Sequence, residues 1–302
     1  MKLYDISQIK KNLNHLKKRN LECLVIKDDA YGFGLKKIIN ISEELKIKAF
    51  AVISLAEGIN ARKYTDSKIM ILSPMVDNVI LLKKYELIPS CQSVEDILFC
   101  KNNKIKYAIE INIGMNRFGL NSIDLIDWND EFLDSIYAHF PSMSSKINAL
   151  AYRLYNECIK HNKSCHFGGS RIVDNLKLPL RIGYYAYLNS TVLLGKIIML
   201  RSVDEYEEIG YDLGYVTYKK EIIAIINLGY ANGINPNFNG FVGYKNKKYR
   251  VIGKVCMNQL FVLADDSFII DQYVEFFGRN IEKNEFLKNN YMTDYQSFLS
   301  IK

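Results

Sequence analysis

Tryptophan occurs once in these 302 residues, histidine four times and proline five times, and none of the six cysteines forms a Cys-x-x-Cys pair. Each scarcity excludes something. Four histidines without ligand spacing argue against a zinc centre. The cysteines (Cys23, Cys91, Cys100, Cys158, Cys165 and Cys256) are scattered, mostly within apolar runs. They read as reduced, buried thiols, which places the chain in the cytoplasm. No signal peptide precedes Lys2, and no apolar run reaches membrane-spanning length. Basic residues outnumber acidic ones, 40 to 33, for a net charge of +7. The lysines are spread over the whole length, however, and form no basic stripe interleaved with aromatics, so nucleic acid is not an expected partner. The densest run, residues 245–250, reads as a hairpin tip. Such a balance suits a small anionic ligand. Heptads, solenoid repeats and low-complexity segments are missing too.

What is present is organised around Leu24-Val25-Ile26-Lys27-Asp28-Asp29-Ala30-Tyr31-Gly32-Phe33-Gly34. The apolar run 24–26 reads as a short buried strand, which Gly32 and Gly34 break before a helix pattern at 35–45. Lys27 therefore stands where a strand ends and a loop begins. That is the face on which α/β folds place their chemistry. A partly desolvated lysine there suits Schiff-base formation, because burial lowers its pKa and exposes the amine lone pair.

Seven more short apolar strands follow, at 50–54, 69–72, 87–90, 106–112, 135–140, 165–167 and 180–184. Helix patterns lie between them, at 56–64, 77–85, from Ser93, and at 146–161, where Ile147, Leu150, Leu154 and Cys158 share a face. An amphipathic helix at 7–18 precedes them all. Eight strands alternating with helices imply a (β/α)8 barrel. An open doubly wound sheet is the competing architecture, but no glycine-rich dinucleotide fingerprint follows the first strand. From about Arg201 the texture changes to β-rich runs at 221–227, 240–244, 249–255 and 260–263, joined by Gly, Asn and Asp turns. We expect a barrel over 1–201 and a smaller, mainly β domain over 202–302.

Reactive and charged side chains gather at the barrel strand ends: Lys27 and Tyr31, Arg117, His139, His166 with Ser170, and Arg181. One of them alone is unremarkable; seven such side chains at five strand ends on one barrel face point to a site. Ser170 and the backbone around Gly168-Gly169 and Gly183-Tyr184 follow the last two strands, where barrels commonly bind phosphate. A Schiff-base lysine facing a phosphate site suggests pyridoxal phosphate.

These residues resemble the alanine racemases, the fold-type III pyridoxal-phosphate enzymes. The resemblance runs through the Lys27 stretch, Gly114-Met115-Asn116-Arg117-Phe118-Gly119, Tyr137-Ala138-His139-Phe140 and Arg181-Ile182-Gly183. It continues through Gly210-Tyr211, Leu228-Gly229-Tyr230-Ala231-Asn232-Gly233 and Gly253-Lys254-Val255-Cys256-Met257-Asn258-Gln259. It implies that Lys27 holds the cofactor aldehyde and serves as one proton-transfer base. Tyr211 would be the second, its phenolate favoured by Arg181 and His166. Tyr31, Ser170, Gly183, the Tyr184 backbone and Tyr295 would bind phosphate. His139 would pack beside the pyridine ring and Arg181 would meet its nitrogen. Arg117 and the Met257 backbone would hold the substrate carboxylate, with Glu110 and Tyr230 in support. The resemblance further implies a head-to-tail homodimer with shared sites, acting on alanine and supplying D-alanine for wall synthesis. Other readings of the same likeness are a racemase for serine or another small amino acid, and a shortened paralogue that binds the cofactor with little catalysis. Related decarboxylases share the barrel but typically present a cysteine in place of Tyr211.

Departures from the family pattern are informative. Glu110 stands where a carbamate-modified lysine is common, Asn258 where an Asp, Gly169 where an Asn, Phe33 where a His, Lys254 where an Arg and Ser144 where an acidic residue is usual. The chain looks short at both ends, without an opening strand or the closing strands. Arg117 needs a fixed anionic partner if it is to orient anions. A glutamate carries the carbamate's charge without needing carbon dioxide, so we expect Glu110 to pair with Arg117, directly or through one water.

Overall fold

A computed structural model describes residues 1–74 and 78–301, the side chain of Tyr295 excepted. Its contacts divide it into two compact units, residues 7–188 and residues 1–6 with 189–302.

The larger unit is a closed parallel barrel of eight strands. After β1 (Lys2–Tyr4), which belongs to the other unit, these are β2 (Leu21–Val25), β3 (Ala49–Val52), β4 (Lys68–Ile71), β5 (Leu87–Cys91), β6 (Tyr107–Ile111), β7 (Leu133–His139), β8 (Ser164–Gly168) and β9 (Leu180–Ile182). Strands buried on both faces are largely apolar, and β5 and β6 are buried along their whole length, Ser90 and Glu110 included. Cys23, Val25, Ala51, Met70, Ile88, Ala108 and Tyr137 fill the barrel interior. Helices cover the outside. Ile6–Lys18 buries Ile9, Leu13 and Leu16, each such side chain contributing about 1.5–3 kcal/mol. Ser54, Ser93 and Ser144 cap the helices Leu55–Arg62, Val94–Asn102 and Ser145–Lys160 by accepting from backbone N–H groups in their first turns. In the last of these the buried face is Ile147, Ala151, Leu154 and Cys158; Leu150 lies at its edge, partly exposed. The helix expected at 77–85 spans Val79–Lys84, and its expected start at Asp77 lies outside the described residues.

The second unit continues with β10 (Thr191–Val203), β11 (Glu221–Ile226), β12 (Phe241–Tyr244), β13 (Lys247–Ile252), β14 (Leu260–Ala264) and β15 (Tyr273–Phe277). The sheet order is β1-β10-β11-β14-β13-β12-β15, and β15 pairs again with β10 to close the ring. β10 changes partner along its length, from β15 over Leu193–Lys196 to β11 over Ile197–Val203. At the change stands Gly195, where a Cβ would lie 2.4 Å from the Ile226 side chain. Phe238, Phe276, Phe277 and Phe286 pack in the core.

Two expectations are corrected here. The contact division falls after Leu188, not at 201/202, because β10 is one continuous strand of this sheet. An opening strand exists, since Lys2–Tyr4 pairs antiparallel with Thr191–Leu193. The chain also returns to helix, at Lys283–Asn289 and Asp294–Ser300. The Lys2 ammonium donates to the carbonyls of Phe298 and Ile301, and Lys283 pairs with Asp294 at 2.5 Å, so the last helix is tied down at both ends. No helix among the described residues is long and apolar enough to cross a membrane.

Candidate active site

Lys27 follows β2 after one intervening residue, Ile26; it is half-buried, and the chain after it turns the unfavoured way. Asp28, Asp29, Ala30 and Tyr31 have φ of +53°, +52°, +54° and +58°, one turn of left-handed helix. Each such residue other than glycine costs roughly 1–2 kcal/mol, so the surroundings must hold the turn. They do. The Asp28 N–H donates to Glu57 Oε1 and the Ile53 N–H to Glu57 Oε2, both at 2.8 Å. At the other end the Leu35 N–H donates to Asp29 Oδ1 at 2.7 Å. Glu57 escapes the sequence reading because Ser54-x-x-Glu57 resembles an ordinary capping box. In the fold, Ser54 accepts from the Glu57 N–H, but the carboxylate reaches across to the turn instead.

The reversed turn aims Tyr31 at the end of β9. A Cβ on Gly183 would lie 2.2 Å from the Tyr31 hydroxyl, so the tyrosine occupies space that only glycine leaves. Short helical turns open here at Ser170 and at Tyr184, just after β8 and β9.

Across β7, β8 and β9, His139, Gly168 and Arg181 are register partners. A Cβ on Gly168 would lie 2.7 Å from His139 Nδ1 and 2.8 Å from Arg181 Nη2, so glycine lets the imidazole and the guanidinium close in from both sides. Arg181 is buried, its Nε has no hydrogen-bond partner, and no carboxylate pairs with it among the described residues. Its Cζ lies 4.5 Å over the Tyr137 ring. Burial, then the Arg181, Arg117 and Lys27 cations, push His139 down to about 4, so it is neutral at physiological pH. His166 sits deeper, stacked on Tyr137 with ring centroids 5.5 Å apart and Nδ1 unpartnered. Burial and Arg181 push it down to about 3.

No direct ion pair joins Glu110 to Arg117. Glu110, on β6, points into the barrel and accepts from the Tyr137 hydroxyl at 3.1 Å. Arg117 is exposed, its Cζ 5.5 Å over the ring of Phe118. The loop between them explains the separation. Asn112 Oδ1 accepts from the Gly114 and Asn116 N–H groups, and the Leu120 N–H returns to the Glu110 carbonyl at 2.8 Å. This knot carries Arg117 out while the short glutamate stem stays in.

The remaining candidates lie in the β unit. Tyr211 is 65 % exposed, between Gly210 and two left-handed residues, Asp212 and Leu213. Asp212 pairs with Lys254 at 2.6 Å. The Tyr230 N–H donates to the Cys256 carbonyl and the Ala231 N–H to that of Met257. A Cβ on Gly229 would lie 2.3 Å from both carbonyl oxygens, so these two motifs back one another only through glycine. Tyr230 and Met257 are themselves exposed. Tyr295 lies on the last helix, and its side chain is outside the described residues.

A lysine at the end of the first barrel strand, a neutral histidine and an unpaired buried arginine together define a barrel enzyme site suited to a flat, electron-withdrawing ring. The comparisons give this class a family. Residues 4–160 match the alanine racemase N-terminal domain and residues 191–302 the alanine racemase C-terminal domain. The chain belongs to the alanine racemase family. It is 27 % identical over 305 residues to the alanine racemase of Borreliella burgdorferi (strain ZS7), covering 85 % of this chain and 82 % of that protein. It is 27 % identical over 317 residues to that of Rickettsia canadensis (strain McKiel), covering 91 % and 89 %. The solved alanine racemase of Clostridium difficile 630 shares the fold, with a TM-score of 0.85 at 24 % identity over 100 % of this chain and 93 % of that one.

The family uses pyridoxal phosphate, and the residues present fit that group. Arg181, whose Nε has no partner and which no carboxylate among the described residues pairs with, would offer N–H donors to a neutral ring nitrogen. Lys27 would supply an amine, and Tyr31, packed against Gly183, a hydroxyl.

Proposed function

We propose that this chain is a cytoplasmic pyridoxal-phosphate racemase that interconverts L- and D-alanine, with Lys27 and Tyr211 as its two bases. The observation that carries the reading is Arg181: a buried guanidinium with an unpartnered Nε and no ion pair among the described residues, beside a neutral His139. Held on Lys27, the cofactor would withdraw electrons from the substrate's Cα and so acidify its proton. Racemisation takes that proton from one face and returns one on the other, which requires a base on each side. The Lys27 amine would serve one face and the Tyr211 hydroxyl the other. Arg181, permanently protonated, would keep the ring nitrogen unprotonated, weakening the electron sink and limiting side reactions. Tyr31, Ser170, Gly183, Tyr184 and Tyr295 would hold phosphate, while Arg117 and the Met257 backbone would orient the substrate carboxylate. Tyr211 is exposed, which suits a head-to-tail homodimer in which each chain's tyrosine completes its partner's site.

Two measurements test this. Borohydride treatment should leave the reduced cofactor on the peptide containing Lys27, and L-alanine should lose its circular dichroism in the presence of the enzyme. A Lys27→Ala protein that still fixes the cofactor on another lysine would refute the assignment.

A further inference from the structure

Glu110 and Arg181 are both buried in the barrel, and neither has an ion-pair partner among the described residues. Burying a lone charge is costly, so each needs an account. Between them stands Tyr137. Its ring face lies under the guanidinium, with Cζ 4.5 Å from the ring centroid. Its hydroxyl donates to Glu110 Oε2 at 3.1 Å. The same hydroxyl meets Ser90 Oγ at 2.5 Å, and Gln92 Nε2 donates to that Oγ at 2.8 Å. His166 stacks on the ring at 20°. Glu110, Tyr137 and His166 are consecutive register partners across β6, β7 and β8, so the strands themselves fix this row.

We propose that Tyr137 is a positioning residue for Arg181, and that Glu110 is the remote counter-charge of that arginine rather than the partner of Arg117. This rests on the reading above, in which Arg181 faces the cofactor's ring nitrogen. A carboxylate in direct contact would occupy the guanidinium's N–H donors. With an aromatic ring between the two ions, the donors stay available to a neutral acceptor, while the π-face and the more distant carboxylate still offset the buried cation. Burial, then the Glu110 charge, push the Tyr137 hydroxyl up, which keeps it protonated and donating. Tyr137 touches neither substrate nor reacting atoms in this scheme; it acts through Arg181.

The test compares Tyr137→Phe, Tyr137→Leu and Glu110→Gln with wild type, and with Arg181→Lys as reference. In the cofactor-free protein, the Arg181 Nε–H resonance should broaden or shift in Tyr137→Leu, where the platform is gone. It should stay near its wild-type position in Tyr137→Phe, where the ring remains. In the loaded protein, the pH profile of the visible absorbance of Tyr137→Leu should move in the same direction as that of Arg181→Lys. We expect its kcat to fall roughly tenfold with KM changed less than about twofold, the split expected when transition-state stabilisation is lost. Glu110→Gln should change the absorbance profile. Tyr137→Leu with wild-type Arg181 resonance and absorbance profile, and only a lower melting temperature, would overturn the proposal. If Tyr137→Leu does not fold, the milder pair decides: Glu110→Gln with an unchanged absorbance profile overturns it. Arg181→Lys with an unchanged absorbance would defeat the functional reading itself, an outcome distinct from the others.

Discussion

At the scale of single residues, two glycines make the site possible. The Tyr31 hydroxyl lies 2.2 Å from where a Gly183 Cβ would stand, and Tyr31 is packed against Tyr187 with ring centroids 5.1 Å apart. The tyrosine has little room to yield. Gly183→Ala should therefore weaken cofactor binding by about tenfold or more, equivalent to about 1.4 kcal/mol. Fluorescence titration of the cofactor-free protein reads this directly, and unchanged affinity would show that Tyr31 lies outside the phosphate cradle. Gly168 plays the matching part between His139 and Arg181. Glycine at these positions is a packing requirement, because Gly183 has negative φ and needs no left-handed backbone.

At the scale of elements, the left-handed turn after Lys27 is the most costly piece of backbone, and one carboxylate holds its entry. Glu57→Gln keeps the side chain's size but replaces one acceptor with a donor facing either the exposed Asp28 N–H or the half-buried Ile53 N–H. The expected cost is about 1–3 kcal/mol of stability, with faster hydrogen exchange at Asp28 and Ile53. Exchange at wild-type rates would mean that the turn is held elsewhere. This element also marks the limit of what could be read from the sequence. All eight barrel strands were legible, because strands buried on both faces are continuous apolar runs with turn residues between them. The handedness of Asp28-Asp29-Ala30-Tyr31 was not legible, since Ala and Tyr disfavour positive φ and only tertiary contacts impose it. β10 was hidden for another reason: its apolar residues follow the last barrel strand without a break in texture. That Glu110 lies on a barrel strand was legible, but its direct partner, the Tyr137 hydroxyl, was not. The alternation of β6 fixes its face, whereas the path of the loop to Arg117 depends on hydrogen bonds by Asn112 that no spacing displays.

At the scale of the whole molecule, two histidines contribute to the response to acid. His139 and His166 are held at about 4 and about 3 by burial and by Arg181, against an ordinary value near 6.5. The unfolded chain takes up protons on them as pH falls below about 6.5, and the folded barrel does not. Their contribution to stability is therefore complete above about pH 6.5 and is lost progressively as pH falls toward 4 and then 3. Urea unfolding between pH 7 and pH 4 should show this loss, and His166→Gln should flatten it. An equally steep loss in that variant would place the acid sensitivity in other groups.

The pairing of Lys2–Tyr4 with Thr191–Leu193 has a consequence for how the chain is made. The first residues leave the ribosome long before the strand that receives them, since the Met1 amine and its acceptor carbonyl on Leu194 are 193 positions apart. The barrel lies wholly within that interval, so its folding can finish while both flanks of the second unit are still open. Joining the flanks is then a late, long-range closure, and a barrel that folds slowly delays a sheet to which it contributes no strand.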